Sequence, residues 1–207
     1  MKKIILIGAI ALCGAMNAQT KFGVKAGYAL SSVNTKIDGV DEEDMDEMDA
    51  MSTFYVGALV EHKLTDKFGL QAELLYSPMG AKYSESVGGD KYELKHKLGT
   101  LQLPIGAKYY PTESFALTAG LNFGFILSAK EEETWTEDGD SGSETNDIED
   151  TSSLNLAPFI GAEYTLPMGL FFDARYNFGV SNLYNGEFKD EISTKNSFFQ
   201  IGVGYKF

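Results

Sequence analysis

The chain has a single cysteine, Cys13, and it falls in an N-terminal leader. The remainder is therefore expected to hold no disulfide, and its stability has to come from packing and hydrogen bonding in any redox compartment. Histidine is almost as scarce, with only His62 and His96. They lie near the inner end of one predicted strand and in the outer half of another, so a Ser-His-Asp or Asp-His arrangement has no centre. No catalytic residue is assigned, and the chain is expected not to be an enzyme. Basic residues are also few: 17 Lys+Arg stand against 30 Asp+Glu, a net charge of −13, which argues against nucleic acid as a partner. Helical periodicity of useful length is missing, and no apolar run is long enough for a membrane-spanning helix.

The one continuous apolar run lies in MKKIILIGAIALCGAMNAQ, where Lys2 and Lys3 precede Ile4 to about Met16 and Ala18 offers a small residue before Gln19. Residues 1–18 read as a secretory signal peptide and residues 19–207 as one mature domain. Leu12 sits where acylation of Cys13 would need a small residue, which disfavours a lipoprotein. The negative charge is concentrated. Residues 34–52 carry eight carboxylates against Lys36, and residues 129–152 carry ten against Lys130, so the rest of the chain is close to neutral.

What is abundant is period-2 alternation. The chain closes on SFFQIGVGYKF, where Phe199, Ile201, Val203, Tyr205 and Phe207 alternate with Gln200, Gly202, Gly204 and Lys206. Alternation of this kind marks a strand with one oily and one small or polar face. It recurs over residues 21–33, 53–64, 68–77, 91–110, 115–127, 153–166 and 170–183, giving eight predicted strands. A soluble sandwich or lipocalin-like barrel would turn the oily face inward and solvate the other with Lys, Glu, Thr and Ser. Here the second face is rich in glycine, including Gly27, Gly57, Gly106, Gly120, Gly202 and Gly204. Glycine is a poor solvent face but suits a narrow lumen filled by side chains. The pattern therefore predicts an all-β fold, an eight-stranded antiparallel up-and-down transmembrane β-barrel, with aromatics facing lipid.

Connection lengths agree. Short links at 65–67, 111–114 and 167–169 alternate with longer ones at about 34–52, 84–90, 129–152 and 184–195, the outer-membrane plan with both termini periplasmic. Pro104 and Pro158 fall inside predicted strands, where each removes a ladder donor, and the slip of alternation at Gly99-Thr100 marks a candidate bulge. On the inward face lie Lys25, Glu61, Lys63, Glu73, Lys108, Glu163, Asp173 and Arg175, of both signs. Buried charges need partners, and Glu163 with Arg175, on adjacent strands, is the expected pair. These residues form either a gated polar path or a salt-bridged plug; eight strands leave little open lumen, which favours the plug. The carboxylate-dense stretches DGVDEEDMDEMD and EDGDSGSETND miss the calcium-loop pattern, so no metal or cofactor site is assigned. Trp135, the one tryptophan, stands in the longer acidic segment, either as a contact residue for a surface partner or as a side chain that dips toward the membrane interface.

The stretches LQLPIGAKYYP, FALTAGLNFGFILSAK, FFDARYNFGVSNL and FFQIGVGYKF resemble the small outer-membrane β-barrel family common in Bacteroidetes, often called porin-like or PorT-like. The resemblance implies the outer membrane of a Gram-negative bacterium, contact with its lipid, and recognition by the barrel-assembly machinery. It implies that Phe199, Tyr205 and Phe207 form the insertion signal, and it admits a role as accessory of a secretion system. The functional expectation is a structural or surface-interaction role through the acidic segments 34–52 and 129–152. The alternative is a narrow porin-like channel for small solutes or cations.

Overall fold

The computed structural model describes residues 19–39, 49–87, 90–137 and 140–207. The signal peptide with Cys13, and the acidic stretch from Asp41 to Glu47, lie outside the described residues. Among the described residues nine strands are formed: β1 (Thr20–Ile37), β2 (Asp49–Lys63), β3 (Phe68–Val87), β4 (Asp90–Tyr109), β5 (Phe115–Glu137), β6 (Asp140–Asp147), β7 (Leu154–Thr165), β8 (Leu170–Asn177) and β9 (Ile192–Lys206). Eight of them close a ring in the order β4-β3-β2-β1-β9-β8-β7-β5, with β5 returning to β4. All pairings are antiparallel, and first and last strands meet from Gly23↔Lys206 to Ile37↔Ile192. Closure leaves no strand edge in the ring, which a span through hydrocarbon requires.

The burial pattern is that of a globular protein turned inside out. Phe54, Leu74, Ile105, Ile160, Phe172 and Ile201 are exposed on the outside, while Lys25, Glu73, Lys108, Gln102, Asn122 and Arg175 are buried within. Aromatics flank the apolar band. Phe68 and Tyr109 pair at 5.3 Å between ring centroids near the short turns, and Phe54 and Tyr76 at 6.4 Å toward the other end. On β3, Phe68 and Tyr76 are separated by about 26 Å of strand, or roughly 20 Å along the membrane normal at a typical barrel tilt.

Glycine makes room inside as its pattern predicts. Gly27 and Gly202 face each other across β1 and β9, and Tyr55 lies over both. A Cβ on Gly202 would come 2.0 Å from the Tyr55 hydroxyl, and one on Gly27 2.7 Å from its ring. At Gly80 the requirement is backbone as well as space: φ is +153° and a Cβ would sit 1.8 Å from the carbonyl oxygen of His96.

The expected irregularities divide. Gly99-Thr100 is a bulge, with the β4–β5 register shifting between Gly99↔Ser128 and Thr100↔Ile126. Pro104 needs none: the β3–β4 ladder keeps one register on either side and is interrupted only opposite it, between Ala72↔Ile105 and Leu75↔Gln102. Pro158 coincides with the end of the β7–β8 ladder, whose last pair is Phe159↔Asn177. Without an N–H at Pro158 the ladder loses a bond there. The chain then follows β7 through Phe178 N–H to the Pro158 carbonyl, 2.8 Å, and Val180 N–H to Leu156, 3.0 Å, and through the Ser181 hydroxyl, which accepts from the Leu156 N–H at 2.8 Å. The strand expected over 170–183 therefore stops at Asn177.

The larger correction concerns the long connections. Residues 84–90 and 129–152 are largely strand, not loop. β3 and β4 pair out to Val87↔Asp90, and β5 and β6 form a hairpin from Lys130↔Asp147 to Glu137↔Asp140. β7 takes over the same edge of β5 lower down, from Phe125↔Leu154 to Phe115↔Tyr164. β3 and β4 are 20 residues long and β5 is 23, whereas a tilted crossing uses about 9–11. The surplus projects from the long-loop end as a four-stranded sheet in the order β3-β4-β5-β6.

Candidate functional site

Alternation turns every second residue of the ring inward, and near the short-turn end those residues are charged. Lys25 Nζ lies 2.7 Å from Asp173 Oδ2 and 3.4 Å from Glu73 Oε2. Arg175 Nη2 lies 2.5 Å from Glu73 Oε1 and 4.0 Å from Asp173 Oδ2. A second group surrounds Lys108, whose Nζ donates to Glu61 at 2.7 Å, Glu163 at 2.6 Å and Gln71 Oε1 at 2.9 Å. Lys206 Nζ donates to the same Glu61 and Glu163 oxygens at 2.6 and 2.5 Å. Gln71 joins the groups by donating Nε2 to Glu73 Oε1 at 2.6 Å. Each group holds two cations and two carboxylates, so the burial of eight charged side chains introduces no formal net charge.

Of the eight charged residues expected on the inward face, seven are buried there, each no more than 6% exposed. The expected Glu163–Arg175 pair is absent. Glu163 sits in register with Asp173, and Arg175 with Gly161; each then finds its counter-ion beyond the neighbouring strand, Glu163 two strands away on either side, on β4 and β9, and Arg175 across the lumen on β3. A barrel this narrow lets opposite walls touch, so a long side chain does not have to pair with its neighbouring strand. Lys63 is not a member: it is half-buried at the end of β2, with its ammonium 4.6 Å from the centroid of Tyr110. The residues missed were Lys206 and Gln71. Lys206 shares the parity of Gln200, Gly202 and Gly204, which was the available signal. Aromatic faces cover the cations from within the lumen: Phe171 lies 4.6 Å from Lys206 Nζ and Phe159 4.5 Å from Arg175 Cζ.

Toward the long-loop end a neutral layer follows. Asn122 Nδ2 donates to Gln102 Oε1 at 3.1 Å and Asn177 Nδ2 to Gln200 Oε1 at 3.3 Å, while Gln200 Nε2 donates to Gln102 Oε1 at 3.4 Å. Met79, Ala157 and Phe198 pack together as an apolar cluster. At the mouth is a cavity of about 200 Å³ whose walls include Val33, His96, Leu98, Ile148 and Leu183. Asn182 anchors the adjoining loop, accepting from the N–H groups of Tyr184 and Thr194 and donating to the carbonyls of Lys189 and Ile192.

The two histidines lie at opposite ends: His62 Nδ1 is 2.7 Å from Thr20 Oγ1, and His96 Nε2 is 2.7 Å from Glu131 at the mouth. Among the described residues no group of three or more His, Cys, Asp or Glu is arranged to hold a metal ion. Phe199, Tyr205 and Phe207 all face outward, and the Phe207 N–H is bound by the Phe22 carbonyl at 2.9 Å.

Residues 17–185 match the family model of the outer membrane protein beta-barrel domain. The chain belongs to this family. It is therefore an outer-membrane barrel, and its exposed apolar band is in contact with lipid. A search of curated proteins found no match. Among solved structures it is similar to Ail, the attachment invasion locus protein of Yersinia pestis, in complex with the heparin analogue sucrose octasulfate: 19% identity, TM-score 0.48, covering 91% of this chain and 99% of that one. It is similar also to neisserial surface protein A, with 14% identity, TM-score 0.46 and coverage of 90% and 97%. For OprG of Pseudomonas aeruginosa the values are 19%, 0.41, 90% and 95%.

The projecting sheet of this outer-membrane barrel has two unlike faces. The face continuous with the lumen carries His96↔Glu131, Leu94↔Glu133 and Tyr92↔Trp135 across β4 and β5, and Glu133↔Glu144 across β5 and β6. The face continuous with the lipid-facing surface carries Lys97↔Lys130, Lys95↔Glu132 and Glu93↔Thr134, and Lys82↔Lys95 across β3 and β4. Lys97 Nζ is 2.7 Å from Glu132, and Lys95 pairs with Glu93. The hydrogen bond from Lys97 holds the Glu132 carboxyl below the ordinary carboxylate range, and Lys95 does the same for Glu93.

Proposed function

We propose that this protein is a non-conducting, non-catalytic outer-membrane barrel that works by surface contact, through the sheet it projects beyond the membrane. The observation that carries this reading is the bonded interior: charged side chains and, beyond them, a layer of amides bond to one another across the lumen. What remains for a partner is the projecting sheet. Its lumen-side face places Glu133 directly opposite Glu144, a like-charge pair that is destabilising without a cation between or beside it. Tyr92 and Trp135 stand beside them in register. Carboxylates flanked by aromatic rings suit a cationic partner, such as a lysine- or arginine-rich segment.

Trp135 is the only tryptophan, so it reports on this face without labelling. Titrating octalysine into the refolded mature chain should shift Trp135 emission with saturation. The response should fall about tenfold in affinity in the Glu133→Gln, Glu144→Gln double variant, as expected for two lost charge contacts, and should survive Lys97→Gln. A wild-type chain indifferent to octalysine would remove the cationic partner from this reading.

The closing strand supports a second, biogenetic role. Phe207 is 62% exposed and its backbone N–H is bound by the Phe22 carbonyl, so much of its side chain is free of the barrel and available as a mark for the assembly machinery. Deleting Phe207 should leave the heat-dependent gel shift of refolded protein almost unchanged while lowering the assembled fraction in cells about tenfold, a loss of about 1.4 kcal/mol in recognition. Equal losses in both measurements would make Phe207 an ordinary lipid-facing residue.

A further inference from the structure

Within the projecting sheet, lysine is confined to one face. Among its described residues every lysine, Lys82, Lys91, Lys95, Lys97 and Lys130, lies on the face that continues the lipid-facing surface. The opposite face has none and carries Glu85, Glu131, Glu133 and Glu144. The basic face also bears Glu93, Glu132 and Asp147. Lys95 and Lys97 are engaged by the first two, which leaves Lys82, Lys91 and Lys130 against Asp147 and gives the face a positive excess on a chain of net charge −13.

Position and register add to charge. Lys130 follows Leu127, which is 64% exposed at the top of the apolar band, by three residues on β5. That is about 10 Å of strand, or roughly 7–8 Å along the membrane normal at a typical barrel tilt, which is about the depth of a headgroup region. Lys82 faces Lys95, and Lys97 faces Lys130, in two neighbouring rows. Like charges directly opposite one another repel; Glu93 and Glu132 relieve part of this at Lys95 and Lys97, and an anion shared between the rows would relieve more.

We propose that this lysine face docks on the phosphate groups of outer-leaflet lipid headgroups. The surface is a direct continuation of the one already buried in lipid, its charge complements the phosphates, and its long side chains reach sideways from the sheet wall into the headgroup layer. Docked in this way, the sheet would be braced against the membrane with its acidic face turned toward the mouth of the barrel. The proposal does not depend on any partner of that acidic face, and octalysine binding at Trp135 can fail without affecting it.

The test uses the full mature chain in nanodiscs of two compositions, one containing bisphosphorylated lipid A and the other its dephosphorylated form. Amine acylation is followed lysine by lysine with mass spectrometry. Lys82, Lys95, Lys97 and Lys130 should be modified about fivefold more slowly in the phosphorylated discs, and Lys67, at a short turn on the far side, at the same rate in both. The protection should shrink in high salt. Inorganic phosphate added to dephosphorylated discs should not reproduce it; equal protection by free phosphate would mean a simple anion site and overturn lipid docking. In the Lys82→Gln, Lys130→Gln variant the rise in thermal unfolding midpoint conferred by lipid phosphates should disappear, with the midpoint in dephosphorylated discs unchanged. Identical acylation rates for all four lysines in both discs would also overturn the proposal.

Discussion

Replacing Lys108 by methionine should destabilise the folded barrel by about 3–5 kcal/mol in urea unfolding from lipid vesicles, the usual cost of removing one partner from a buried ion cluster. Lys108 is 1% exposed and donates to Glu61, Glu163 and Gln71 together. Without it, Lys206 faces two carboxylates alone, the group carries an uncompensated negative charge, and Gln71 loses the donor to its carbonyl. Neutrality can be restored without restoring the lysine. The Lys108→Met, Glu61→Gln double variant leaves one carboxylate for one ammonium and should recover at least half of the loss. A single-variant loss under about 1 kcal/mol would be the value of a solvated pair. It would mean that water reaches this layer and that the layer does not close the lumen.

Much of this arrangement was legible in the sequence because strand parity is a local property. Alternation around Lys25, Glu73, Lys108 and Asp173 places them inward with no knowledge of which strand lies next to which, and the slip at Gly99-Thr100 shows as a break in the same rhythm. Pairing is a different kind of information. Which residues stand at one height depends on the stagger of strands around the ring, and in a narrow barrel partners come from beyond the neighbouring strand, as far as the opposite wall. Glu163 and Arg175 look like neighbours along adjacent strands yet bond to β4, β9 and β3. The projecting sheet was hidden for another reason. Residues 130–137 read as a solvated acidic run because carboxylates are poor strand formers, but β4 offers Lys95 and Lys97 on one face and Tyr92 and Leu94 on the other. Cross-strand partners of complementary character override weak intrinsic preference.

The closed lumen leads to the second large effect, in conductance. The refolded mature chain in a planar bilayer should be silent, because eight strands leave an interior that side chains can fill and here two layers fill it in series. Opening a path should need both. Glu73→Ala with Arg175→Ala removes one charge of each sign and keeps the charged layer neutral, yet leaves Gln102, Asn122, Asn177 and Gln200 bonded across the bore. Gln102→Ala with Gln200→Ala opens the amide layer but leaves the ion cluster below. Each pair alone should stay silent, and the four substitutions combined with Lys108→Ala and Glu61→Ala, which thin the second charged group, should give discrete current steps. The serial arrangement makes the outcome sharply diagnostic. Current from the charged-layer pair alone would show the amides to be a leaky seal. Steady current from the unaltered chain, changed by Glu163→Gln, would show that the ion cluster is a filter instead of a plug, and would replace the surface-contact reading with that of a narrow porin.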